Sequence, residues 1–138
     1  MTDVKIRSKP LFQAMVEGIQ QEMERDPRVI CMGEDVGKMG GVFQSTAGLH
    51  KKFPDRVIDT PISETAIMGA ALGAAASGLR PIAELMFVDF LGVCFDQIYS
   101  QAAKFKYMFG GKARTPVVIR TMIGAGFRAA SRRIGMCS

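Results

Sequence analysis

Arg56-Val57-Ile58-Asp59-Thr60-Pro61-Ile62-Ser63-Glu64 is the stretch on which the fold turns. Residues 56–59 read as a short strand, which Thr60-Pro61 ends. Directly behind it, residues 63–77 read as a helix built of small side chains: Ala66, Gly69, Ala70, Ala71, Gly73, Ala74, Ala75, Ala76. Glycine costs roughly 1 kcal/mol per helical position against alanine, so Gly69 and Gly73 suggest close packing against another element.

Working outward, the same alternation repeats. Before it, Leu11, Met15, Ile19 and Met23 recur every four residues behind Pro10, with Val16 beside them, and Asp26-Pro27 stops that helix. Residues 28–33 read as a buried strand, residues 34–41 as a glycine-rich loop, and residues 44–52 as weakly helical. After it, Gly78 terminates the helix and residues 81–86 form a strand. Residues 88–108 carry Leu91, Phe95, Ile98, Ala102 and Phe105 in helical phase, Gly110-Gly111 ends that run, and residues 115–120 form a fourth strand. Helix and strand in turn predict an α/β fold: a mostly parallel sheet with helices on both faces.

The chain has 138 residues, enough for one domain with a core of its own. Its 48% hydrophobic and 22% charged content is that of a globular protein. The longest uncharged run, residues 65–79, is too short and too rich in Ala and Gly for a membrane span. Cys31, Cys94 and Cys137 form no C-x-x-C pair, which argues against a disulfide scaffold or a zinc site. Three unpaired thiols and no secretory signal lead us to expect a cytoplasmic protein. His50 is the one histidine, so no mechanism needing two is available within the chain. The net charge of +5 is unevenly spread. The last acid is Asp96, and residues 97–138 carry eight basic groups. Such an end suits a nucleic-acid or other anionic partner, or cations whose acidic partners lie elsewhere.

Two glutamates stand out. Glu64 lies in the first turn of a helix, at the carboxyl edge of the predicted sheet where ligands of open α/β folds bind. Locally it reads as well as a first-turn acid beside a Thr60 or Ser63 cap. Glu34 follows a buried strand at the same edge. Alone it is a loop acid; with Glu64 it forms a pair that one pocket can share. Gly37, Gly40 and Gly41 match neither a P-loop nor a dinucleotide fingerprint, and no G-x-S-x-G elbow occurs. Lys104-Phe105-Lys106-Tyr107-Met108-Phe109 mixes cations and rings as single-strand binders do. The spacing of its phenylalanines is that of a buried helix face.

Gly33-Glu34-Asp35-Val36, Gly40-Gly41-Val42-Phe43, Asp59-Thr60-Pro61-Ile62-Ser63-Glu64, and Phe95-Asp96-Gln97-Ile98 with Ala102-Ala103-Lys104 occur in order and at matching spacing. Together they resemble the β subunit of the thiamine-diphosphate-dependent dehydrogenase of 2-oxo acid (pyruvate, branched-chain) or acetoin dehydrogenase complexes. The likeness runs from about Val4 to Ala130 and implies a transketolase-type pyrimidine-binding domain, here incomplete. It implies that Glu64 is the catalytic acid bonded to the ring nitrogen of the aminopyrimidine. Glu34 becomes a second acid near the cofactor, and Ile62, Met86 and Phe90 become its apolar lining. A potassium ion at the Val117 carbonyl is a weaker implication. Magnesium and the diphosphate would be held by a partner α subunit, in a heterotetramer that passes acyl groups to a lipoyl acyltransferase component.

Family members are more than twice this length. They continue after Ala130 with a Gln-His-Ser-Gln-like segment where this chain has Ser131-Arg132-Arg133-Ile134. The expectation is a pyrimidine-binding domain over 1–130 and an unmatched basic tail over 131–138. The chain would be shortened or frameshifted, and inactive alone. The rival expectation is a non-catalytic α/β module binding nucleic acid or another anion through its basic end.

Overall fold

The structure, a computed structural model, describes residues 8–123. The tail over 131–138 and the segment aligned with the missing histidine lie outside the described residues. Four strands form one parallel sheet: β1 (Val29–Gly33), β2 (Val57–Asp59), β3 (Arg80–Phe87) and β4 (Val118–Met122), in the order β2-β1-β3-β4. Strand β1 is buried at every position, as expected of a central strand covered on both sides.

Alternation along the strands separates two cores. On one face Ile30, Met32, Ala83 and Leu85 pack under helix α3 (Glu64–Ala76) through Ile67, Met68 and Ala71. On the other, Val29, Cys31 and Val57 pack with Met23 of α1 (Leu11–Arg25) and Leu49 of the short α2 (Leu49–Lys52). Burial pushes the Cys31 thiol up to about 11, so it stays a neutral core side chain. His50, at first sight a surface residue, is half-buried, with Nδ1 3.2 Å from the Val57 carbonyl.

The stripe on α1 is only partly used. Met23 is buried, whereas Leu11 is 78% exposed and Phe12 and Met15 are exposed too, lining a cleft against β3 and β4. Helix α3 ends as predicted: Gly78 takes φ +100°, and Leu79 N–H closes on the Ala74 carbonyl at 3.0 Å.

Four expectations need correction. Residues 44–52 are helical only over Leu49–Lys52. The fourth strand begins at Val118, not at 115. Residues 88–108 are not one helix: a 3₁₀ turn (Val88–Gly92) leads to a π-helical stretch (Gln97–Ala102) and then to α4 (Ala103–Met108). Leu91 and Ile98 still reach the α3-side core. Phe105 and Phe109 are not a core face either; they lean on each other at 4.6 Å, and Phe109 is exposed.

Candidate functional site

The carboxyl ends of β1 and β2 meet at one edge, and the loop between them is tightly held there. Gly37 N–H donates to Asp59 Oδ1 at 2.6 Å, and a methyl group at Gly37 would lie 2.4 Å from Asp59 Oδ2. Gly41 N–H returns to the Asp35 carbonyl at 2.8 Å, Thr46 Oγ1 donates to the Val36 carbonyl at 2.7 Å, and Thr60 N–H to Gly33 O at 2.9 Å. Asp35 sits at φ +55°, the left-handed turn that Asp tolerates, directly beside Glu34.

Glu34 follows β1 and Glu64 opens α3, both at the carboxyl edge of the sheet. Burial, and then the negative charges of Asp35 and Glu64, raise the Glu34 carboxyl above its ordinary value. Glu64 is the first residue of α3, but Ser63 makes no side-chain cap, and Thr60 Oγ1 is buried with no partner among the described residues. The capping account of Glu64 therefore loses its two hydroxyls. Thr65 Oγ1 donates to the Val93 carbonyl at 3.0 Å, fastening the start of α3 to the segment after β3. Below that segment Cys94 is buried, its thiol raised by desolvation and further by the charge of Glu64.

The apolar candidates are placed unequally. Phe90 is half-buried and meets Phe87 edge-on at 6.1 Å, and Phe87 in turn meets Phe43 at 5.5 Å. Met86 is half-buried in a cleft of about 450 Å³ that Phe43, Glu84, Arg120 and Met122 also line. Ile62 is 75% exposed. Val117 packs against the α3-side core just ahead of β4. Among the described residues no group of three or more His, Cys, Asp or Glu side chains could hold a metal ion.

Sequence reasoning missed a buried polar network beside this site. Glu84 of β3 pairs with Arg120 of β4, Ser45 Oγ donates to Glu84 Oε1 at 2.8 Å, and Arg120 Nη1 donates to the Ser45 carbonyl at 2.9 Å. A signal was there: Glu84 and Arg120 each stand inside a mostly apolar strand, with opposite sign. The strand register sets them opposite each other.

This donor set suits a heteroaromatic ligand with a basic ring nitrogen. It offers a carboxylate at a helix start and a second acid at the same sheet edge, while Met86 lines a cleft that neither acid enters.

Residues 8–133 match the transketolase pyrimidine-binding domain. The chain is 61% identical over 133 residues to the beta subunit of acetoin:2,6-dichlorophenolindophenol oxidoreductase of Cupriavidus necator, covering 89% of this chain and 39% of that one. It is 49% identical to the 2-oxoisovalerate dehydrogenase beta subunit of Bacillus subtilis, over 81% of this chain and 35% of that one. It is 47% identical to the pyruvate dehydrogenase E1 component beta subunit of Chaetosphaeridium globosum, over 84% of this chain and 36% of that one. The chain thus spans well under half the length of these relatives, all of them named as subunits of oxidoreductases. A parallel sheet with two acids at its carboxyl edge, a small-residue helix opening on Glu64, and this match across nearly the whole chain agree: the chain belongs to the transketolase pyrimidine-binding-domain family.

Proposed function

We propose that this chain supplies the aminopyrimidine half of a thiamine-diphosphate site in a two-subunit dehydrogenase, with acetoin or a 2-oxo acid as substrate. The observation that carries this reading is Glu64 as the first residue of α3, behind the carboxyl end of β2 and inside the matched pyrimidine-binding domain. Identities of 61% and 52% to two acetoin oxidoreductase beta subunits favour acetoin. When bound, thiamine diphosphate supplies a nucleophilic carbon for a substrate carbonyl. Glu64 holds a proton at the ring nitrogen of the aminopyrimidine. Glu34 is a second acid near the cofactor, and Ile62, Met86 and Phe90 form its apolar lining. The diphosphate and its magnesium fall to a companion α subunit, and a lipoyl acyltransferase takes the acyl product. By itself the chain turns over none of these substrates, because it carries only one half of the site.

The test grafts residues 8–123 into the Cupriavidus necator beta subunit in place of its own matched segment. Assembled with its companion subunit, the graft should reduce dichlorophenolindophenol with acetoin. Glu64→Gln keeps the shape but removes the exchangeable carboxylate, and turnover should drop about 10²-fold or more. Near-normal turnover of the assembled variant would return Glu64 to a purely structural role.

A further inference from the structure

The ladder between β1 and β2 ends where Asp59 stands opposite Gly33, and Thr60 N–H closes on the Gly33 carbonyl at 2.9 Å. Beyond the ladder the Asp59 side chain takes over. Gly37 is buried, and its N–H donates to Asp59 Oδ1 at 2.6 Å. One residue therefore grips the loop twice, by its backbone beside Gly33 and by its carboxylate at Gly37. Glu34, Asp35 and Val36 are the three residues between the two grips. Val36 is fully buried with its carbonyl bonded to Thr46 Oγ1, and Asp35 turns at φ +55°. A span this short, closed at both ends and anchored in the core, holds Glu34 in one place.

The side-chain grip is a close one. A methyl group at Gly37 would lie 2.4 Å from Asp59 Oδ2, so a side chain there would push the carboxylate away. Asp59 forms no ion pair among the described residues, and its charge is not drawn off from the bond to the backbone. Without that acceptor a buried N–H is left unpaired, and the loop opens towards water to satisfy it.

We propose that Asp59 is a positioning residue: its acceptor oxygen, not its charge, fixes the turn that carries Glu34 at the carboxyl edge of the sheet and so holds that acid in the cofactor site. The consequence for the cofactor rests on the thiamine-diphosphate reading above; the grip on Glu34 does not.

The experiment follows the Glu34 carboxyl carbon by NMR through a pH titration of the full 138-residue chain, with Asp59→Ala and Asp59→Asn beside the parent. Burial, Asp35 on the same turn and Glu64 on α3 all bear on this carboxyl and raise it. In Asp59→Ala the released turn gains water, and Glu34 should fall back towards an ordinary glutamate. Asp59→Asn keeps an acceptor oxygen and should titrate like the parent. A bond that serves stability alone would lower the melting temperature of Asp59→Ala and leave the Glu34 titration unmoved; that result overturns the proposal. An equal fall in Asp59→Asn also overturns it, by assigning the effect to charge. If circular dichroism shows Asp59→Ala unfolded, Gly37→Ala opens the same grip from the loop side, and an unmoved Glu34 there overturns the proposal equally. In the grafted dehydrogenase, Asp59→Ala should lower kcat about tenfold or more while Asp59→Asn stays near the parent. Unchanged kcat of Asp59→Ala, in a graft that Glu64→Gln impairs, overturns the positioning role while the cofactor reading stands. Normal turnover of Glu64→Gln fails the reading instead, and the titration then decides the grip on Glu34.

Discussion

Glu34 shows how a site costs stability. Its carboxyl is raised above the ordinary 4.5 by burial first, then by Asp35 and Glu64. An acid raised in the folded state ionises earlier in the unfolded chain. Between the two values the folded protein holds more protons, so stability falls as pH climbs through that window and stays lower above it. Glu34→Gln should therefore raise the melting temperature at neutral pH and leave it nearly unchanged below about pH 4. Melting curves of both proteins across that range check this, and parallel curves would count against it. The opposite case is the buried Glu84–Arg120 pair. Arg120→Met strands a carboxylate between β3 and β4 and should cost about 3–5 kcal/mol in urea unfolding. Glu84→Met/Arg120→Met removes both charges and should recover most of that loss. A single-variant loss below about 1 kcal/mol would mean that water reaches the pair.

At the scale of elements, α3 is the informative helix. Its glycines suggested close packing, and the structure separates them. A methyl at Gly69 would stand 3.4 Å from Gln97 Oε1, whereas at Gly73 nothing among the described residues comes within 4 Å. Gly69 thus faces the end of one flexible side chain at ordinary contact distance and Gly73 faces none, so close packing among the described residues explains neither glycine. Gly73→Ala should stabilise the isolated chain by about 0.5–1 kcal/mol through helix propensity alone. A shift of the urea midpoint reads this directly, and a loss instead of a gain would show that Gly73 is covered. The break in residues 88–108 belongs to this scale too. Period alone cannot distinguish one helix from three short helical pieces that share an apolar phase.

For the whole molecule, the order β2-β1-β3-β4 leaves β4 as an edge among the described residues, beside the 450 Å³ cleft. Val118, at the start of that strand, is 58% exposed. A flat apolar edge of this kind templates association. The chain should self-associate with rising concentration, and Val118→Lys should shift it towards the monomer in sedimentation velocity. Identical profiles for the two would rule out the edge as the cause.

The sequence by itself determined the element order, the parallel α/β class and the two acids of the candidate site. Strand ends, Gly-rich loops and helix starts are local signals, and a strand–turn–helix junction delivers Glu34 or Glu64 to the carboxyl edge whatever lies around it. The family motifs named Met86 and Phe90, which periodicity alone would have left as ordinary apolar residues. Tertiary structure decided what depends on register and on coverage. The pairing of Glu84 with Arg120 requires β3 and β4 to align, and the exposure of Leu11, Val118 and Tyr107 depends on which element reaches over them. Those are distances between parts of the chain far apart in sequence, and no local pattern of residues encodes them.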